Sequence, residues 1–269
     1  ACLPGAGASY AFKVYGGYAK VEGGTFGYTA ENTTPRGNGA FVMQGAAYIT
    51  GATIQAGGTT GFGVWTNANV TFAPANNDNR AINVYGASTG LTLENGGSYP
   101  SLQVTINGGT FEAGNQGTPY GIWYGNGNAT LNISGGIISG RDAGLQIAKN
   151  PGQIVSNYNW GSVNYSWTDN RHIKISGGTF TSSGEGGQAI ASEVDDIRVC
   201  DILDSEITKG TTRRDNISDA IMEGTGKNAY LNGSTTPTYT SASTDDFVDN
   251  GWLGDNAFGG ATRVEIRST

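Results

Sequence analysis

A glycine corner recurs along this chain at nearly constant spacing. Gly-Gly-Thr-Phe stands intact as Gly23-Gly24-Thr25-Phe26, Gly108-Gly109-Thr110-Phe111 and Gly177-Gly178-Thr179-Phe180. Looser copies are Gly51-Ala52-Thr53-Ile54, Gly135-Gly136-Ile137-Ile138 and Asp204-Ser205-Glu206-Ile207. Their last residues fall at 26 and 54, 111 and 138, and 180 and 207, spacings of 28, 27 and 27. An alternating apolar segment precedes them, as in Val104-Thr105-Ile106-Asn107 and Ile173-Lys174-Ile175-Ser176. A period in the twenties, built from alternating strands and glycine corners, is the pattern of a β-solenoid, whose units bury their apolar faces against one another. The chain reads as one array rather than several globular domains.

Each unit carries an earlier strand of the form small-apolar-x-apolar. Eight copies are read, at Phe12-Lys13-Val14, Phe41-Val42-Met43, Phe62-Gly63-Val64, Ile82-Asn83-Val84, Ile122-Trp123-Tyr124, Leu145-Gln146-Ile147, Ile190-Ala191-Ser192 and Ile221-Met222-Glu223. Strict alternation turns the first and third residues inward and the middle one outward. Second strands put Val21, Ile49, Phe72, Ile106, Ile133, Ile175, Ile202 and Ile266 in another inward file. The tetrad's last residue makes a third file, with its threonine outside. The glycines relieve the corner, where a positive φ or a missing Cβ is needed. The expected fold is all-β: a right-handed single-stranded parallel β-helix (β-solenoid) of about eight rungs, three short strands per rung. Its hand follows from the general chirality of parallel crossovers. Residues 1–9 are expected to form an N-terminal arm and 10–223 the helix. Residues 224–269 are expected as a long loop returning to a last strand that caps it.

The spacing between first and second strands is long in rungs four, six and eight. Insertions are therefore expected at about 85–103, 148–172 and 224–263, all at one corner. Loops inserted on one face of a repeat protein are often its binding face. The middle loop is dense in aromatics, with Tyr158, Trp160, Tyr165 and Trp167.

Composition narrows the partners. A net charge of −7 argues against nucleic acid or an anionic membrane surface. No apolar run of about 18 residues exists, so membrane insertion is not expected. Forty-five glycines without a Gly-x-y triplet exclude collagen and demand many tight corners. The two cysteines, Cys2 and Cys200, would lie many rungs apart, beyond the reach of a disulfide. Scarce cysteine with abundant Gly, Asn and Thr suits an extracellular or cell-surface bacterial protein, its signal peptide removed ahead of Ala1.

Catalysis finds little support in the residues. Glycoside hydrolysis needs two carboxyl groups roughly 5–10 Å apart. Asp142, Glu193, Asp195, Asp196, Asp201, Asp204, Glu206, Asp219 and Glu223 are candidates, but none sits among basic and histidine partners. The single histidine, His172, precedes a strand with no Asp-Asp in order. No metal motif is complete. Asp245, Asp246, Asp249 and Asp255 crowd the last insertion and offer oxygen ligands for Ca²⁺, though a solvated acidic loop is the preferred reading. Aromatics remain: Trp65, Tyr85 and Trp123 are expected outward, where rigid rings stack on sugar faces at small entropic cost. Tyr15 is expected outward as well. Loops folding over these rings are the competing explanation.

The Ile-Ser-Gly-Gly-Thr-Phe units, with Tyr-Gly-Ile and Ala-Gly-Leu strands between them, resemble glycine-rich repeats of surface proteins from anaerobic bacteria. In architecture the chain is similar to the pectate-lyase-like β-helix superfamily over about residues 10–223. That resemblance implies the fold; the superfamily's lyase residues have no matched motif here. The expected function is a non-catalytic, adhesin-like or carbohydrate-contacting surface protein whose partner is a glycan or host-surface ligand. The alternatives are a polysaccharide lyase or glycoside hydrolase, and a subunit stacking end to end with copies of itself in a fibre. Fold alone does not choose among them.

Overall fold

The computed structural model describes residues 10–27, 40–57, 61–75, 81–93, 102–117, 119–125, 129–147, 172–192, 227–240 and 257–268. Its regular elements are β-strands, save one 3-10 turn at Ala257–Gly260. In chain order they come in triplets. The first is β1 (Phe12–Val14), β2 (Tyr18–Val21) and β3 (Thr25–Gly27); the second is β4 (Phe41–Met43), β5 (Ala46–Ile49) and β6 (Ala52–Ala56). The third is β7 (Phe62–Thr66), β8 (Val70–Phe72) and β9 (Ile82–Gly86); the fourth is β10 (Thr89–Leu93), β11 (Leu102–Ile106) and β12 (Thr110–Ala113). The fifth is β13 (Tyr120–Tyr124), β14 (Ala129–Ile133) and β15 (Ile137–Gly140). The sixth is β16 (Ala143–Ile147), β17 (His172–Ile175) and β18 (Gly178–Ser182). A further strand, β19 (Gln188–Ser192), follows.

Successive strands enter three sheets in rotation. Sheet one is β1-β4-β7-β10-β13-β16-β19, sheet two is β2-β5-β8-β11-β14-β17, and sheet three begins β3-β6-β9-β12-β15-β18. Every neighbouring pair among these strands is parallel. The protein is thus all-β with parallel sheets, an order compatible with a solenoid of six three-strand turns and the start of a seventh among the described residues.

The inward files follow the alternation. On sheet two, Val21, Ile49, Phe72, Ile106, Ile133 and Ile175 stand in register and are buried. On sheet three the file runs Phe26, Ile54, Val84, Phe111, Ile138, Phe180, and all but Phe26 are fully buried. Phe72 meets Phe111 edge-on at 5.0 Å, joining the two sheets through the core. Thr25, Thr53, Thr110 and Thr179 stand outside, as the tetrad predicts. The tetrad's second glycine turns the corner, with φ of 117° at Gly24, 105° at Gly109 and 126° at Gly178.

Sheet one departs from the expected register in two turns. In the third, Val64, Trp65 and Thr66 pair with Phe41, Val42 and Met43, two residues beyond the expected Phe62-Gly63-Val64. The inward place after Val64 is taken by Thr66, whose polarity hides it from an apolar pattern. Thr66 is fully buried, and its hydroxyl donates to Ala68 O at 2.9 Å. In the fourth turn, Ile82-Asn83-Val84 is not the first strand. It lies on sheet three, where Val84 pairs with Ile54 and Phe111. The first strand is β10, with Leu91 and Leu93 against Val64 and Thr66. The expected insertion at 85–103 therefore shrinks to 94–101 between β10 and β11.

A column of small residues explains why sheet one packs this way. Ala11, Ala40, Gly63, Gly90, Gly121, Gly144 and Ala189 each precede the first inward apolar residue and fall in register. A Cβ on Gly90 would lie 2.6 Å from Gly121 O, and one on Gly121 2.7 Å from Gly144 O. Sheet three presses on the same column, since the Gly90 position is 3.0 Å from Glu112 N.

The C-terminal strands also differ from expectation. β20 (Lys227–Leu231), β21 (Tyr239–Thr240) and β22 (Arg263–Ser268) extend sheet three in the order β18-β22-β20-β21, all antiparallel. Ile266 thus sits on sheet three opposite Gly178 and Ala229, not in the second file. β22 runs antiparallel beside β18, at the place of a third strand of a seventh turn, with Val264 and Ile266 buried. Within the expected 224–263 loop, Lys227–Leu231 and Tyr239–Thr240 are therefore strand. Ile202, Ile207 and Ile221-Met222-Glu223 lie outside the described residues.

Candidate functional site

Both tryptophans among the described residues, Trp65 and Trp123, stand on the outer wall of sheet one. Its strands β4, β7, β10, β13 and β16 contain no Asp, Glu, Lys, Arg or His. Register places Trp65, Thr92, Trp123 and Gln146 in one outward file. Trp65 and Trp123 are half-buried, on either side of Thr92. Adjacent strands are about 4.8 Å apart, so the two indoles stand about 9.6 Å apart at their backbones. The Trp123 ring turns along its strand onto Gly125, where any side chain would collide with it.

Polar outward groups on this wall are buried. Thr92 is 2% exposed and Gln146 5%. Gln44 and Asn67 directly follow β4 and β7, and their N–H groups continue the ladder to Val14 O (2.8 Å) and Met43 O (3.1 Å). By alternation they face out, as does Tyr15, 81% exposed at the equivalent place. Gln44 Oε1, Asn67 Oδ1 and Thr92 Oγ1 are buried and find no hydrogen-bond partner among the described residues.

Tyr85 is not on this wall but on sheet three, opposite Gln55 and Glu112. Burial, and then the nearby Glu112 carboxylate, raise its hydroxyl above the ordinary tyrosine range. Tyr158, Trp160, Tyr165 and Trp167 lie outside the described residues, as do Cys2, Cys200 and the acidic group Asp245, Asp246, Asp249 and Asp255. Of the carboxylates considered for catalysis only Asp142 is described. It takes a two-pronged contact from Arg141, Nε to Oδ1 at 2.8 Å and Nη2 to Oδ2 at 3.2 Å. No cluster of three His, Cys, Asp or Glu occurs among the described residues. No helix among them is long and apolar enough to cross a membrane.

Thr92, Gln44, Asn67 and Gln146 were not singled out by sequence. Thr92 becomes visible when Gly90-Leu91-Thr92-Leu93 is laid on Gly121-Ile122-Trp123-Tyr124. The chain matches no protein-family model, no curated protein and no solved structure.

Proposed function

We propose that this chain is a right-handed parallel β-helix, extracellular or at a cell surface, that contacts carbohydrate and catalyses no reaction. Rotation of consecutive strands through three parallel sheets supports the β-helix, and parallel crossovers are right-handed in about 98% of cases. The observation that carries the function is the pair Trp65 and Trp123 flanking Thr92 on the outer wall of sheet one. Flat aromatic faces offer large contact area at low entropic cost, which suits the C–H faces of sugar rings. The insertions at 94–101 and 148–171 both join sheet one to sheet two, so they border this wall in sequence. Affinity electrophoresis against immobilised polysaccharides tests the reading. Retardation should be lost in Trp65→Ala/Trp123→Ala while the melting transition persists; equal mobility of both proteins would count against it.

A second reading, end-to-end stacking, is favoured by one observation. β1, β2 and β3 are the terminal strands of the three sheets, whereas the opposite end of sheet three is continued by antiparallel strands. Phe12 and Phe26 remain only partly buried there, with Tyr10, Tyr15 and Tyr18 exposed. Sedimentation velocity should show concentration-dependent polymers under this reading and a single monomer otherwise.

A further inference from the structure

We infer that a second copy of this chain docks head-to-head on the first turn, its strands antiparallel to β1, β2 and β3 about a two-fold axis at Ala19. The inference rests on the self-association reading above and changes its geometry from an open stack to a closed pair. Among the described residues, β1, β2 and β3 are the last strands of their sheets at this end. Val14 O, Gly17 O, Val21 O and Gly24 O accept from Gln44 N, Ala46 N, Thr50 N and Thr53 N of the second turn. Backbone groups alternate in direction along a strand, so Lys13, Tyr18, Lys20 and Thr25 turn their N–H and C=O off the end of the column. Such a row is a template for further strands. The core beneath it is incompletely covered. Phe12 and Phe26 are only partly buried, although they stack on Phe41 at 5.0 and 4.6 Å. Tyr10, Tyr15 and Tyr18, three of the four exposed large hydrophobic side chains among the described residues, gather at this turn.

The shape of the turn points to a second copy as the occupant. On either side of β2 stands a corner ending in Gly-Gly, Tyr15-Gly16-Gly17 before it and Glu22-Gly23-Gly24 after. Beyond the corners lie strands of equal length, Phe12–Val14 and Thr25–Gly27. A turn laid out alike in both directions matches its own two-fold image, and closed two-fold pairs are the commonest homo-oligomers. A two-fold perpendicular to the column reverses strand direction, so the edges meet antiparallel. Centred on Ala19, a single register sets Tyr18 opposite the partner's Lys20, and Lys13 opposite the partner's Thr25. The outward backbone groups of all three strands then face one another at once. The fold already seats an antiparallel strand on a parallel edge, β22 on β18. That same strand closes the far end of sheet three to a head-to-tail copy. Charge agrees as well. Residues 10–27 hold Lys13 and Lys20 against Glu22, so two first turns meet without the repulsion a chain of −7 imposes elsewhere.

Sedimentation velocity on the full chain, over a dilution series, tests the pairing. The expected result is a reversible monomer–dimer equilibrium with no larger species. Polymers that lengthen with concentration would overturn the closed pair and leave end-to-end stacking in place. A monomer at every concentration would overturn the pair and the stacking reading together, as when residues 1–9 of the same chain cover the edge. Lys20→Pro locates the contact. The Lys20 N–H faces away from β5, so proline there breaks no ladder bond within the chain, and edge strands tolerate it. The ion pair it removes, with Glu22, lies in solvent and contributes little. The variant should keep the wild-type circular dichroism spectrum and weaken dimerisation at least about tenfold, the effect of a lost hydrogen bond. Lys13→Pro, on β1, carries the same expectation and serves if Lys20→Pro does not fold. A folded proline variant that dimerises as tightly as the wild type would place the contact elsewhere and overturn the inference.

Discussion

Sheets one and two share one core and differ on their outer walls. Both send apolar files inward, Val21 to Ile175 on sheet two and Val64, Leu91, Ile122, Leu145 and Ile190 on sheet one. Outside, sheet two shows Lys20, Tyr48, Thr71, Thr105 and Asn132 in register, all at least partly exposed. Lys20 pairs with Glu22 at 2.6 Å in open solvent. Sheet one shows indoles, a buried hydroxyl and a buried amide, with no charge on five strands. Stacking fixes the inward residues of every turn, because one polar substitution there affects three rungs. The outward residues are free of that demand.

The largest effect should come where the sheets share their core. Phe111→Ala should lower stability by about 3–5 kcal/mol in denaturant unfolding and weaken both sheets at once, since its ring packs on Phe72. Gly121→Val should cost about 1–3 kcal/mol, because its Cβ would lie 2.7 Å from Gly144 O and 2.8 Å from Cγ2 of the fully buried Ile138. The matched change on sheet two, Thr105→Val, should stay within about 0.5 kcal/mol. Equal costs would erase the distinction between the small-residue column and an ordinary solvated position. Thr92→Val should leave stability unchanged or raise it by about 1 kcal/mol, because it removes a buried hydroxyl that lacks a partner.

The smallest effect is alkaline. Tyr85 has its hydroxyl raised by burial and Glu112, so the folded chain holds that proton longer than the unfolded one. Its contribution is fully present below the ordinary tyrosine value near pH 10 and is lost as pH rises through the folded value. Tyr85→Phe should flatten the fall of melting temperature above pH 10, and an unchanged slope would remove Tyr85 as its source.

The inward files of sheets two and three were legible because Ile, Val and Phe repeat there at constant spacing. Sheet one was harder. Ala81-Ile82-Asn83-Val84 and Gly90-Leu91-Thr92-Leu93 carry the same small-apolar-x-apolar pattern, and only the spacing to neighbouring tetrads separates them. Val84 lies 30 residues after Ile54 and 27 before Phe111, which is the third-file period. Thr66 escaped because a hydroxyl can enter the core by bonding to nearby carbonyls, a satisfaction that composition does not display. The C-terminal strands escaped for another reason: alternation in Val264 and Ile266 reports strand but not direction. Of the candidate site, Trp65 and Trp123 were legible as outward rings. The orphan oxygens of Gln44, Asn67 and Thr92 were not, because hydrogen-bond satisfaction exists only in three dimensions.

The central claim is that recognition lies on sheet one and not on sheet two. Hydroxyl-radical footprinting, with and without a saturating neutral polysaccharide, reads both walls in one experiment. The account predicts protection of Trp65 and Trp123 with no change at Tyr48. Protection of Tyr48 while both tryptophans react as before would contradict it.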